Sequence, residues 1–209
     1  AENVLIGNVA GSKLSDADQN VAVGSGALYS DEKGDTSVAI GTSALQNQSF
    51  SSVTTTSNAA VGHQAGFSNT TGQSCTFIGN LSGKFATTAH SSVFVGADAG
   101  RGITSAKLTG NENTAVGAQA GLVLQGTANN NSLFGFGAGK AITTGPDNTI
   151  IGRNSGSSLL TGIGNSLLGN GAGDNITTGS YNVMVGFTAR TSSATVSSEI
   201  VVGSGTAQV

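Results

Sequence analysis

The sequence predicts an all-β fold, a parallel β-solenoid or β-roll of about twelve 17-residue coils, and three observations carry that expectation. Glycine returns at Gly7, Gly24, Gly41, Gly62, Gly79, Gly96, Gly117, Gly135, Gly152, Gly169, Gly186 and Gly203, with gaps of 17 broken only by two of 21 and one of 18. The residue before that glycine is always large and apolar. The composition of the 209 residues, with 33 glycines, one proline, no tryptophan and 9% charged residues, is far from globular usage. A fixed short period means small units that bury their apolar faces only against neighbours. Residues 1–209 therefore read as one solenoid repeat domain.

Each coil begins with a short strand. The residue before the glycine (Ile6, Val23, Ile40, Val61 and onward to Val202) and the residue three before it (Val4, Val21, Val38 and onward to Ile200) share one face at period two and favour β structure. Seven residues after the glycine, Leu14, Ile103, Leu124, Ile142, Leu159 and Ile176 predict a second, thinner core strand, which Asp31, Gln48, Asn69, Ala86 and Ser193 interrupt. Between the two lie Ala-Gly or Ala-Leu corners such as Ala27-Leu28 and Ala65-Gly66, small enough to pack on identical corners above and below. The return corner carries Gly34, Gly72, Gly110, Gly145, Gly162 and Gly179. Asn3, Asn20, Asn58, Asn113, Asn131, Asn148, Asn165 and Asn182 stand four before the recurrent glycine, where Asn suits a corner and can ladder its amide along the stack.

The position two before the glycine is apolar in all twelve coils and lies on the opposite side of the first strand. A 17-residue coil is too thin for two cores, so one face would lie bare as an apolar stripe, which monomers rarely tolerate. An intertwined or side-by-side homotrimer would bury it around a common axis. Leu5, Phe77, Phe94, Leu133, Ile150, Leu167, Met184 and Val201 are the expected trimer-axis residues. Twelve coils at about 4.8 Å each give a rod of roughly 55 to 60 Å.

Composition also excludes classes of function. A net charge of −3 offers no footprint for nucleic acid, and no apolar run is long enough to insert in a membrane. No disulfide framework or zinc site can be built on the lone Cys75. Helix is disfavoured, the regular aliphatics argue against disorder, and collagen needs a glycine every third residue. The start at Ala1, with a repeat already under way, reads as a fragment or processed product of a longer protein.

The units Asn20-Val21-Ala22-Val23-Gly24, Ser37-Val38-Ala39-Ile40-Gly41 and Asn113-Thr114-Ala115-Val116-Gly117 resemble the head repeat of trimeric autotransporter adhesins. That resemblance implies a left-handed parallel β-roll in a homotrimer. The longer period, with Thr76-Phe77-Ile78-Gly79, Asn148-Thr149-Ile150-Ile151-Gly152 and the Ile-Thr-Thr-Gly corners at Ile142 and Ile176, looks more like bacteriophage tail fibres. In that family such repeats often precede a self-cleaving chaperone of the endosialidase type, and Ser198 to Gly203 looks like the last coil before one. The resemblance implies a virion tail fibre, other tail proteins as neighbours, and a bacterial surface glycan or outer-membrane receptor as target. The alternative is an adhesin head on a bacterial cell surface.

No enzyme is expected. A polysaccharide-cleaving spike would need paired carboxylates some 5 to 10 Å apart. The acids gather only at Asp16, Asp18, Asp31, Glu32 and Asp35, where stacking sets Asp18 over Asp35 as a weak cation candidate at a solvated corner. Gly79 to Lys84 and Gly135 to Lys140 are repeat corners rather than phosphate loops, because no helix follows. The Asp in Gly171 to Ile176 does not recur as a calcium roll requires. His63 and His90 lack acidic or nucleophilic companions and read as surface residues. An ice binder would show a threonine ladder at one coil position, and the threonines scatter. No cofactor is implied. Specificity belongs to loops on a rigid scaffold, so the insertions within 46–57 and 101–112 supply the receptor-binding candidates Phe50, Thr54, Thr55, Thr56, Arg101, Lys107 and Asn111. Val53 joins them as exposed, with Tyr29, Phe67 and Phe85 nearby.

Overall fold

In a computed structural model, which describes residues 2–205, the chain winds as a parallel β-solenoid of about twelve turns without helix. Twelve three-residue strands form one sheet: β1 (Val4–Ile6), β2 (Val21–Val23), β4 (Val38–Ile40), β6 (Ala59–Val61), β7 (Thr76–Ile78), β8 (Val93–Val95), β9 (Thr114–Val116), β10 (Ser132–Phe134), β11 (Thr149–Ile151), β12 (Ser166–Leu168), β13 (Val183–Val185) and β14 (Ile200–Val202). Two-residue strands β3 (Gly34–Asp35) and β5 (Thr54–Thr55) pair apart from it. Register is kept throughout, Ala39 opposite Ala60 and Phe94 opposite Ala115 even where a coil is lengthened. Extra residues are therefore absorbed outside the sheet.

The recurrent glycine has two physical reasons. Its φ is near +130°, as at Gly135 (129°) and Gly152 (132°), where side chains are strained. A Cβ there would also strike the next coil's glycine, 2.8 Å from Gly152 carbonyl carbon in the case of Gly135. Two residues further on the chain turns left-handed again, and at Ser43 (φ 59°), Gln64 (φ 54°) and Asp98 (φ 58°) a non-glycine residue accepts that conformation. The tight coil is thus written in backbone conformation as much as in apolar pattern.

Burial reverses the expected assignment of the two strand faces. Phe77, Phe94, Leu133, Ile150, Leu167 and Met184 are at most 1% exposed and fill the coil's own interior, and Val201 is buried beside them. They are therefore unavailable to an oligomer axis; Leu5, 44% exposed, holds the same interior position on β1, the end strand of the sheet. The face turned to solvent is the other one, carrying Ile40, Val61, Ile78, Phe134, Ile151 and Leu168. The reason is volume. Bulk at the interior position trades against bulk at the corner: Ala22 and Ala39 are accompanied by buried Leu28 and Leu45, whereas Phe77 and Phe94 face Gly83 and Gly100, whose added Cβ would meet the rings.

The opposite wall is not the second strand the sequence predicts. Beyond β3 and β5 it holds only isolated bridges, such as Ala86 with Leu108 and Leu108 with Gly126, because turns interrupt it. Leu124, Ile142, Leu159 and Ile176 do point inward and are fully buried. Ile103 does not. Its coil carries the second insertion, and Leu108 takes the interior place.

Asparagine amides join the coils on this side. Asn20 Oδ1 accepts the Ser37 N–H at 2.8 Å while its Nδ2 donates to Gly34 carbonyl oxygen at 2.8 Å. Asn148 does the same to the Asn165 N–H (2.9 Å) and Gly162 carbonyl (2.9 Å), and the other six repeat the pattern. Each such buried bond is worth about 1 kcal/mol net, and an orphaned partner costs more. Cys75 occupies one of these positions and copies the asparagine: its Sγ donates to Ala89 carbonyl oxygen at 3.1 Å. Burial pushes its thiol up to about 11, keeping it a protonated donor.

Candidate functional surfaces

Three surfaces emerge from this scaffold. The first is the outer sheet face, a row of one large apolar side chain per coil from Ile6 to Val202. Exposure reaches 58% at Ile6, 49% at Leu168 and 75% at Val202. Beside it runs a row that is aliphatic at Val4, Val21, Val38, Val93 and Val183 and hydroxylated at Thr76, Thr114, Ser132, Thr149 and Ser166. Eleven parallel strand pairs keep these side chains in register, so the row runs unbroken from the first strand of the sheet to the last.

The second comprises the lengthened coils. In the first of them Phe50 is buried, correcting its expected exposure, and Val53 at 60% is the apolar residue that projects. Thr54 and Thr55 form β5 against Gly34 and Asp35. Thr56 is buried and donates to Asp35 carbonyl oxygen at 2.8 Å, so Phe50 and Thr56 anchor the loop while Thr55 faces outward. In the second coil, Ile103 bridges Ala106 antiparallel, forming a small turn that carries exposed Lys107. Arg101 is half-buried, its Nη1 3.1 Å from Asp98 Oδ1. Asn111 is exposed but engaged: its Oδ1 accepts the His90 N–H at 2.8 Å, and its own N–H reaches Asn129 Oδ1 at 2.8 Å. Three coils separate the two insertions, about 14 Å along the rod, so they do not form one loop cluster.

The third is an aromatic and basic edge five and six residues past the recurrent glycine. Lys13 Nζ lies 5.1 Å from the Tyr29 ring centroid, and Lys84 Nζ lies 6.0 Å from Phe67 and 5.1 Å from Phe85. The sequence names these rings only as neighbours of the insertions.

The acidic corner divides. Asp35 Oδ1 accepts the Asp18 N–H at 2.7 Å, one link of a second side-chain ladder in which His90 Nδ1 accepts the Gln73 N–H at 3.2 Å. His90 is thereby a half-buried structural residue, not a free surface group. Asp31, expected at a solvated corner, is fully buried. Its Oδ2 accepts Gln48 Nε2 at 2.6 Å and its Oδ1 the Gly34 N–H at 3.0 Å, while Gln48 Oε1 accepts Asn58 Nδ2 at 2.9 Å. Asn69 follows in the same column with both amide atoms buried and unpartnered. Among the described residues no group of three or more His, Cys, Asp or Glu gathers to hold a metal, and no helix is long and apolar enough to cross a membrane.

No protein-family model, curated protein or solved structure matches the chain.

Proposed function

We propose that this chain is the structural and host-receptor-binding segment of a bacteriophage tail fibre, a non-enzymatic rod that assembles as a homotrimer and mediates attachment to the bacterial surface. The observation that carries this reading is the apolar row from Ile6 to Val202 on the outer sheet face. A strip of that length, one aliphatic or aromatic side chain per coil, costs solubility in a lone rod and is relieved by association of like faces. Threefold closure around an axis parallel to the rods covers the strip on every copy and leaves no open contact to propagate. Trimerisation also repeats the projecting Val53, Thr55 and Lys107 three times about the axis, which suits avid binding to a repetitive surface.

Labelled protein incubated with a panel of bacterial strains tests the attachment role. We expect staining of particular strains, and its loss when residues 104–107 or 51–53 are deleted. Absence of staining on every strain, or staining indifferent to both deletions, contradicts the role.

A further inference from the structure

We propose that the edge formed by Phe67, Lys84, Phe85, Arg101 and Lys107 binds an acidic polysaccharide, one whose sugar units carry carboxylates. This rests on the receptor-binding reading above and names the chemistry of the receptor. Backbone hydrogen bonds from Ser68 N to Lys84 O (2.9 Å) and from Phe85 N to Arg101 O (2.8 Å) place these residues on three successive coils, and the Leu108 N to Phe85 O bond (3.0 Å), with the parallel bridge of Ala86 and Leu108, brings Lys107 beside Phe85, the coils being roughly 5 Å apart along the rod. Lys84 stands over two half-buried phenyl rings, at 6.0 Å from Phe67 and 5.1 Å from Phe85, so its ammonium is held by the ring faces rather than by an acid. Arg101 gives Nη1 to Asp98 and its Nε is buried without an acceptor, while the side chain as a whole stays 35% exposed, so only the outer edge of the guanidinium is open to a ligand. Among the described residues neither Lys84 nor Lys107 meets a carboxylate. In a chain of net charge −3, these three cations outnumber the two acids of the same coils, Asp98 and Glu112.

The shape restricts what fits. No concave pocket opens among the described residues, which disfavours a compact small molecule. The coils here are hydrogen-bonded to neighbours on both sides, leaving no sheet edge on which a peptide strand could add. Duplex nucleic acid gains its affinity from many neutralised phosphates, and three cations on an acidic protein fall short of that. An extended polymer of carboxylated rings meets each feature: its carboxylates face the ammonium and guanidinium groups, and its apolar ring faces lie on the phenyl groups.

The test measures binding of the whole protein to alginate and to colominic acid as polyacid probes, with dextran as a neutral probe, by calorimetry at about 50 mM and at physiological salt. We expect at least one polyacid to bind, weakening as salt screens it, and dextran not to bind. A Lys84→Ala/Arg101→Ala/Lys107→Ala variant should lose about tenfold or more in affinity, equivalent to about 1.4 kcal/mol. The single surface change Lys107→Glu should lose a smaller factor with unaltered melting, and Arg153→Ala, at an exposed position next to Gly152 and away from this edge, none. Failure of both polyacids to bind, or equal binding by the triple variant and Lys107→Glu, overturns the proposal. Strain staining without polyacid binding would leave the fibre reading standing and remove this one; polyacid binding lost in the triple variant, without any strain staining, would do the reverse.

Discussion

The coils built on Gly24, Gly41 and Gly62 and those built on Gly135, Gly152 and Gly169 share one backbone register but fill it with opposite chemistry. The first group packs Ala22, Ala39 and Ala60 beside a buried polar column of Asp31, Gln48 and Asn69. The second packs Leu133, Ile150 and Leu167 against Ile142, Leu159 and Ile176, all fully or nearly fully buried. Because both groups keep the same strand pairing, interior chemistry is not what sets the coil. The glycine conformation and the side-chain ladders set it, and the interior is free to vary as long as volume is conserved.

Breaking the shared element should therefore have the largest effect, in either region. Gly152→Ala places a Cβ against Gly169 carbonyl oxygen in a strained backbone conformation, and we expect a loss on the order of 4 kcal/mol in denaturant unfolding. Gly24→Ala should cost as much, whereas a small effect at either position would separate the two regions.

The next effect belongs to the polar coils alone. Gln48→Leu removes the donor to Asp31 Oδ2 and strands a buried carboxylate oxygen, costing about 2 to 3 kcal/mol. Replacing both, Asp31→Leu/Gln48→Leu, should recover most of that loss, since an apolar pair of suitable size then resembles the second region.

Cys75, between the two regions, gives an effect of similar size that depends on pH. Its folded thiol lies at about 11 against an ordinary 9.0, so the unfolded chain ionises first as pH rises. The contribution is intact below pH 9, declines between 9 and 11, and reaches a loss of about 2 to 3 kcal/mol above that window. Cys75→Asn, which restores the repeat's own ladder residue, should abolish that decline; stability curves of the two proteins across pH 8 to 11 make the comparison.

The smallest change expected is a gain. Asn69→Leu removes two orphaned polar atoms and extends the apolar column of the second region into the first, stabilising by about 1 kcal/mol in the same unfolding assay.

Much of this molecule could be read from its residues, and the part that could not has a physical cause. The solenoid, the position of the main sheet and the asparagine corner follow from period and residue type. The inward face is not legible in this way, because both faces of a three-residue strand are apolar and hydrophobicity alone cannot rank them. Volume could have done so: alanine at Ala22, Ala39, Ala60 and Ala115 marks the crowded side, and Leu28 and Leu45 appear where alanine leaves room. Burial of Phe50 depends on where a lengthened coil returns to the stack, which spacing does not encode, whereas Asp31 stands seven past Gly24 in the column that Leu124 and Ile142 fill, and its charge is what concealed its burial. The pairing of Lys84 with two rings is likewise a contact between neighbouring coils, visible only once the register is known.

Sedimentation equilibrium at micromolar concentration tests the central claim, that the outward apolar row is covered by two further copies of the chain. The account predicts a species three times the 20.4 kDa chain mass, dissociated by Ile78→Asp/Ile151→Asp on the outer face but not by Lys107→Glu. A stable, soluble single chain of 20.4 kDa would contradict it.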